Sequence, residues 1–393
     1  MNANEQIVMK EPASRSWSRW IKFDARAYTM IGALLSIWVL FTLLNDRFLS
    51  ATNLSNLFLQ MSVTSILAIG MVLVIVAGHI DLSVGAVVGF TGGVAAILNI
   101  WYDWPTIPVI VATIALGVAI GFVQGWIVAY GAVPAFIVTL GGMLVYRGLL
   151  LGTTGSVTIS PFSPAMRTLG ASYVADMIGW VLGGIALACT AIYYWRKRGA
   201  RRKYGFPVEP APLSLMRVVL VGIFVLGFVF VMNSYKGIPV PFVMVIVLAL
   251  IFTFISKNTT FGRQIYAIGG NAEAARLSGI NIRRKTMYVF VLCSALAAIA
   301  GLVLAARLNA ATMNAGNMYE LDAIAACVIG GTSLMGGAGT IVGAIIGSLV
   351  MASLDNGMSL MGIPTWWQYI VKGVILVLAV YLDINIRNRK KVI

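Results

Sequence analysis

Apolar runs of about 20 residues recur from Tyr28 to Leu382, separated by short polar or glycine-rich breaks. Each is long enough to cross roughly 30 Å of hydrocarbon as a helix. In order, the pattern predicts helices over 28–45, 62–79, 83–99, 107–129, 135–151, 174–194, 215–232, 240–256, 286–306, 338–354 and 366–383. A shorter, Gly-rich apolar segment covers 319–335 and reads either as a span or as a half-helix. The expected fold is therefore all-α, a polytopic membrane protein with about twelve transmembrane helices. The period-2 alternation of a membrane barrel is absent. Residues 53–60 have an amphipathic pattern and are expected to lie along the outer interface.

Glycine punctuates the pattern. Gly85, Gly89 and Gly93 form one ladder at i, i+4 spacing, Gly117, Gly121 and Gly125 a second, and Gly339, Gly343 and Gly347 a third. Each clears a stripe for close helix approach, so packing is the plain reading. Two breaks, Gly78-His-Ile-Asp-Leu-Ser-Val-Gly85 and Gly330-Gly-Thr-Ser-Leu-Met-Gly-Gly337, each lead into a glycine-laddered helix. Paired Gly-broken segments in two halves point to an internal repeat, with Gly78 matching Gly330 and Leu82 matching Leu334.

Composition agrees with a membrane solvent. The 393 residues are 60% hydrophobic and only 10% charged, against about 25% charged in soluble domains. The net charge of +15 is concentrated: 22 of the 28 Lys and Arg lie in Lys10–Arg26, Arg196–Arg217, Lys257–Lys285 and Arg387–Lys391. That is the positive-inside signature, and it expects all four segments and both termini in the cytoplasm. The division that follows is a cytoplasmic segment 1–27, a transmembrane domain 28–386 and a cytoplasmic tail 387–393, with inner loops at 195–217 and 257–285. A nucleic-acid surface would need one contiguous basic face, which this layout does not supply. The polar N-terminus lacks the apolar core of a cleavable signal peptide, and 28–45 reads as a retained first span.

Candidate chemistry is sparse. Cys189, Cys293 and Cys327 lie in apolar helices and read as small buried hydrophobes, and His79 has no neighbouring ligand. No metal or cofactor is expected. Asp81 and Ser83 sit at a helix break, where Asp81 reads either as a functional acid at membrane depth or as a helix cap. Glu320 and Asp322 suit the start of a helix. Lys372, mid-span, either snorkels or pairs with an acid such as Asp355 or Asp383. Asn356, Trp366, Trp367 and Gln368 bracket an outer turn and suit either sugar contact or interfacial anchoring. The translocation-path candidates are Asp81, Ser83, Thr332, Ser333 and Asn356. No ATP site is present, since Gly279-Ile-Asn-Ile-Arg-Arg-Lys-Thr286 lacks the second glycine of a phosphate loop.

The polar island Phe261–Ile280 stands between apolar helices, with Glu273-Ala-Ala275 three residues before Ser278-Gly279. It resembles the coupling loop of ATP-binding-cassette importer permeases. Together with Ile80–Gly85, Val133–Gly142, Gly262–Asn271 and Glu320–Ser333, it makes the chain similar to permeases of bacterial monosaccharide importers, the ribose, xylose, arabinose and galactose group. The extra hairpin around Arg196–Arg217 and the segments Met351–Ser359 and Pro364–Gly373 resemble the D-xylose members most, a ten-helix core plus a hairpin. The resemblance implies a multi-pass protein of the bacterial inner membrane that moves a monosaccharide inward and carries no ATPase site of its own. It implies an ATPase partner with two nucleotide-binding domains in one chain, a periplasmic sugar-binding protein, a permease homodimer and surrounding lipid. It implies ATPase coupling through Gly262, Arg263, Tyr266, Gly269, Gly270, Asn271, Glu273, Ala274, Ala275, Arg276 and Gly279. The competing class is an ion-coupled secondary transporter, which would want more buried acids.

Overall fold

The computed structural model describes residues 25–208 and 210–391. The chain begins with α1 (Ala25–Leu44), α2 (Ala51–Val76) and α3 (Val84–Ala96, extended by a π turn over Ile97–Trp101). Next come α4 (Thr106–Ala129), α5 (Ala135–Thr154) and the short α6 (Pro164–Ala171), which sits in the predicted outer loop. A hairpin of α7 (Asp176–Lys203) and α8 (Ala211–Asn233) is closed at its base by β1 (Tyr173–Val174) pairing antiparallel with β2 (Ile238–Pro239). Then follow α9 (Val240–Asn258), α10 (Thr260–Gly270), α11 (Ala272–Leu277), α12 (Ile282–Leu308), α13 (Tyr319–Ile329), α14 (Ile341–Leu360) and α15 (Thr365–Lys391).

Among the described residues, nine helices are long and apolar enough to span a membrane: α2, α3 with its π turn, α4, α5, α7, α8, α9, α12 and α14. Met30–Leu44 of α1 and Thr365–Tyr381 of α15 are shorter apolar helices. Each of the eleven predicted spans is thus largely helical. The segment at 319–335 is only partly so: α13 has 11 residues and rises about 16 Å, half the hydrocarbon thickness. The chain is a polytopic all-α membrane protein.

The helices divide by what surrounds them. In α2, 94% of the most apolar window is buried inside the protein, enclosed by α9, α12, α13 and α14. In α7 the share is 11%, and α7 and α8 pack mainly on each other. The hairpin is therefore an appendage whose apolar surface needs lipid, while α2 is a core element. The glycine ladders explain the close contacts between helices. A Cβ at Gly117 would stand 2.6 Å from the Ala298 side chain, and one at Gly125 2.8 Å from the Met287 carbonyl, so α4 lies directly on α12. Gly343 and Gly347 bring α14 against Gly330 and Ala326 in the same way.

Several expectations change. Residues 53–60 do not lie on an interface: they are the first turns of α2, with Asn53, Leu54, Leu57, Phe58 and Leu59 buried. Of their polar residues, Asn53 is turned inward and bonds to Asn356 of α14. The basic run at 196–203 is not loop but the end of α7, where cations face the negative end of the helix dipole. Cys189 of α7 is exposed, unlike buried Cys293 and Cys327. The tail predicted from 387 is still helical to Lys391. Of the N-terminal segment 1–27, only the last three residues are described, as the start of α1. The two glycine breaks also differ in what precedes them, a 26-residue helix before the first and an 11-residue one before the second.

Candidate coupling surface and translocation path

The polar island folds as two short helices joined at one residue. Thr259 caps α10, its hydroxyl accepting from Gly262 N–H at 3.2 Å. Asn271 leaves helical geometry, ending α10, and its side-chain oxygen accepts from Ala274 N–H at 3.0 Å to start α11. A cap of this kind replaces a lost main-chain partner, which is why Asn suits the junction. α11 ends at Gly279, whose φ of +81° is a conformation that glycine adopts without steric cost. There Ile280 N–H donates to the Ala275 carbonyl at 3.1 Å and Gly279 N–H to the Arg276 carbonyl at 3.0 Å.

The two faces of this unit differ. Gly262, Ile265, Ile268 and Ala275 are buried. Arg263, Gly270, Asn271, Glu273, Ala274 and Arg276 are exposed. Glu273 and Arg276 pair at 2.6 Å, both side chains about two-thirds in solvent. The carboxylate beside it raises the Arg276 guanidinium above its ordinary value. Leu277 is 77% exposed, an apolar side chain beside the Glu273–Arg276 pair. Sequence reasoning passed over Leu277; its signal is a bulky apolar residue ending a polar helix.

The buried face rests on both glycine breaks at once. Gly337 N–H donates to the Val76 carbonyl at 2.9 Å, so the break after α13 meets the end of α2. A Cβ on Gly269 would overlap that same carbonyl, and one on Gly337 would stand 2.9 Å from the Gly270 main chain. A Cβ on Gly336 would stand 3.2 Å from Gly78 Cα. Tyr266 adds a directed bond, its hydroxyl donating to the Gly339 carbonyl at 2.7 Å. Burial pushes the Tyr266 phenol up, which keeps it a donor.

Of the path candidates, Asp81 and Ser83 form one cluster. Asp81 Oδ1 accepts from Ser83 N–H at 2.8 Å and Ser83 Oγ at 2.6 Å. Gln124 of α4, which sequence reasoning did not single out, donates to Ser83 Oγ at 2.9 Å. Asp81 thus braces the turn before α3 without capping the helix, whose N-cap residue is Ser83 with no side-chain capping bond, and its Oδ2 is buried without a hydrogen-bond partner. Thr332 and Ser333 are buried in the neighbouring break. The Thr332 hydroxyl has no partner, whereas Ser333 Oγ accepts from Met335 N–H at 3.2 Å. Asn356 stands apart from these. Its amide exchanges hydrogen bonds with Asn53 at 2.8 and 3.0 Å, near the start of α2. Trp366 and Trp367 are exposed and stacked, their centroids 4.9 Å apart, which suits anchoring.

Lys372 of α15 bonds to two acids, Asp322 of α13 at 3.0 Å and Asp355 of α14 at 2.8 Å. Asp322 was expected only to complement a helix dipole; instead it lends half of an ion cluster that fixes the half-helix. The side chain of Asp383, the other proposed partner, lies outside the described residues. Arg147 of α5 donates to the Ala315 carbonyl at 2.9 Å. Among the described residues no group of three or more His, Cys, Asp and Glu is placed to hold a metal ion.

The chain is similar to known transport proteins. A family model described as branched-chain amino acid transport system / permease component matches residues 53–380. The xylose transport system permease protein of Escherichia coli is 47% identical over 385 residues, covering 98% of each chain. That of Haemophilus influenzae is 48% identical over 369 residues, covering 94% of this chain and 98% of its own. The ribose import permease protein of Escherichia coli is 38% identical over 352 residues, covering 89% and 91%. No solved structure matches the chain.

Proposed function

The chain belongs to the family described as branched-chain amino acid transport system / permease component, and on that premise we propose that its solute is a monosaccharide, D-xylose. It is the permease subunit of an ATP-binding-cassette importer and a multi-pass protein of the inner membrane. The solute comes from the relatives' names: the xylose permeases are matched at 47% and 48% identity, the ribose permease at 38%. Another pentose or a hexose is the nearest alternative.

The observation that carries the mechanism is the seat of α10 on both glycine breaks, with α11 held outward. A subunit bound to Glu273, Ala274, Arg276 and Leu277 and moved by nucleotide would pull on the ends of α2 and α14 together. The permease supplies the element with two states, and the partner biases it. We assign ATP hydrolysis to a separate subunit with two nucleotide-binding domains, and delivery of sugar to a periplasmic binding protein. Two copies of the permease are proposed to share a two-fold axis, with both termini, 195–217 and 257–285 on the cytoplasmic side. Asp81, Ser83, Thr332 and Ser333, near the moving junction, remain the path candidates; Asn356 is proposed to act only through its bond to Asn53. An internal repeat would relate the two breaks, each of which is followed by a glycine-laddered helix.

Reconstitution tests this reading. Proteoliposomes carrying the permease, its ATPase and its binding protein should accumulate D-xylose only with ATP, and in preference to D-ribose and L-arabinose. Uptake driven by a proton or sodium gradient without the ATPase would favour a secondary transporter instead.

A further inference from the structure

We propose that Arg147 of α5 and Asn317 of the loop after α12 line the aqueous path of the sugar and hold its hydroxyl groups at membrane depth. This rests on the transport role argued above and names residues for it.

Depth follows from the helix contacts. Gly301 of α12 packs on α3, where a Cβ on Gly92 would stand 3.1 Å from the Gly301 carbonyl. Leu308 ends α12 seven residues later, about 10 Å further from the end of the bundle that carries α10 and α11. The chain then turns back. A Cβ on Gly316 would overlap the carbonyl of Gly85, which precedes Gly92 by seven residues of α3, about 10 Å in the other direction. Residues 309–318 therefore dip about 20 Å into the bundle from the end of α12. The turn uses left-handed backbone at Gly316, φ +71°, and Met318, φ +66°. α13 starts from this depth, which is why half a span is enough for it.

Non-helical backbone at such depth is tolerated only where protein covers it or where it borders water. The chain itself leaves this loop open: Asn314 and Asn317 are exposed, and only 17% of the apolar window of neighbouring α5 is buried. Arg147 stands on the same side, at the thirteenth residue of that 20-residue helix. Its Nη1 donates to the Ala315 carbonyl at 2.9 Å, and its Nη2 lies 3.4 Å from Asn317 Oδ1. A guanidinium and two carboxamides turned toward hydrocarbon are costly, so this face borders water and not lipid. Asp81, Ser83, Thr332 and Ser333, by contrast, are enclosed by protein.

The chemistry suits a sugar. A guanidinium has five N–H donors, and two are engaged here. The Asn317 carboxamide both donates and accepts, as each sugar hydroxyl does. Glu320, buried at the start of α13, acts on Arg147 through its charge. It offsets part of the positive charge, which favours a neutral polyol over an anion.

Proteoliposomes holding the permease with its ATPase and binding protein test the assignment. In a Cys189→Ala background, where the other two cysteines are buried, Asn317→Cys should react with a charged, membrane-impermeant thiosulfonate. That reaction should cut D-xylose uptake at least tenfold. Leu220→Cys, on an exposed apolar face of α8, should stay unreacted because lipid covers it. Without reagent, Arg147→Gln should lower uptake at least tenfold while the ATPase still binds and hydrolyses ATP, and Arg147→Lys should recover part of the loss. Full uptake by Arg147→Gln, no reaction at position 317, or equal reaction at positions 220 and 317 would overturn the assignment while wild type still imports D-xylose. Failure of wild type to import it would instead overturn the transport reading.

Discussion

Gly269 lies against the main-chain carbonyl of Val76 so closely that no Cβ fits between them. One residue later the space is open: a Cβ on Gly270 would meet nothing within 4 Å. Two adjacent glycines thus make opposite predictions. Gly269→Ala should cut ATP-driven uptake at least tenfold by prising α10 off the breaks, an overpacking effect of the order of 1–3 kcal/mol. Gly270→Ala should transport normally. Equal behaviour of the two variants in proteoliposomes would show that this contact does not transmit motion.

Glu273 and Arg276 separate docking from folding. Exposed pairs contribute little to stability, so Glu273→Lys should insert and melt like wild type while transport is lost. Exchanging the two charges, with Glu273→Arg and Arg276→Glu, restores their mutual attraction but not the surface offered to a partner. Co-purification of the ATPase should fail in both variants. Recovery in the exchanged variant would mean that the pair matters only to the permease itself.

Gly279→Pro forces a residue at φ +81° toward about −65° and removes the N–H that bonds to Arg276. α11 should lose its orientation, with uptake abolished and membrane insertion intact. Normal uptake by this variant, measured alongside protein abundance in the membrane, would remove α11 from the mechanism.

Lys372 binds acids from two other helices, and that predicts a non-additive pattern. Lys372→Met leaves Asp322 and Asp355 uncompensated and should destabilise by about 3–5 kcal/mol, read as a lowered thermal midpoint in detergent. Adding Asp322→Asn and Asp355→Asn should recover most of it. A triple variant no better than Lys372→Met would show that the cluster has another task.

The parts legible from sequence were those written in consecutive residues. A polar island such as 261–280 declares itself among apolar neighbours, and the glycine ladders announce close packing without naming the partner. Partners far apart in the chain left no local trace. Asn53 bonds to Asn356, 303 positions away; read alone, the segment at 53–60 looks like a helix lying on a membrane surface. Lys372 likewise reaches back 50 positions to Asp322, whose place at a helix start already had a sufficient explanation. The sequence left α13 open between a span and the half-helix that it is, since a Gly-rich apolar run looks the same whether it is coiled or helical.

The burial of α2 bears on how the chain is made. It leaves the ribosome second among the helices, yet its neighbours α12, α13 and α14 come from the last third of the sequence. Until they arrive, the side chains of α2 that those helices cover, among them Leu67, Met71 and Val74, must face oil or whatever helper shields them. Birth order and burial order therefore run opposite ways in this molecule. A nascent chain halted before Ile282 would lack α12, α13 and α14 and leave most of its innermost helix bare, an open invitation to membrane proteases.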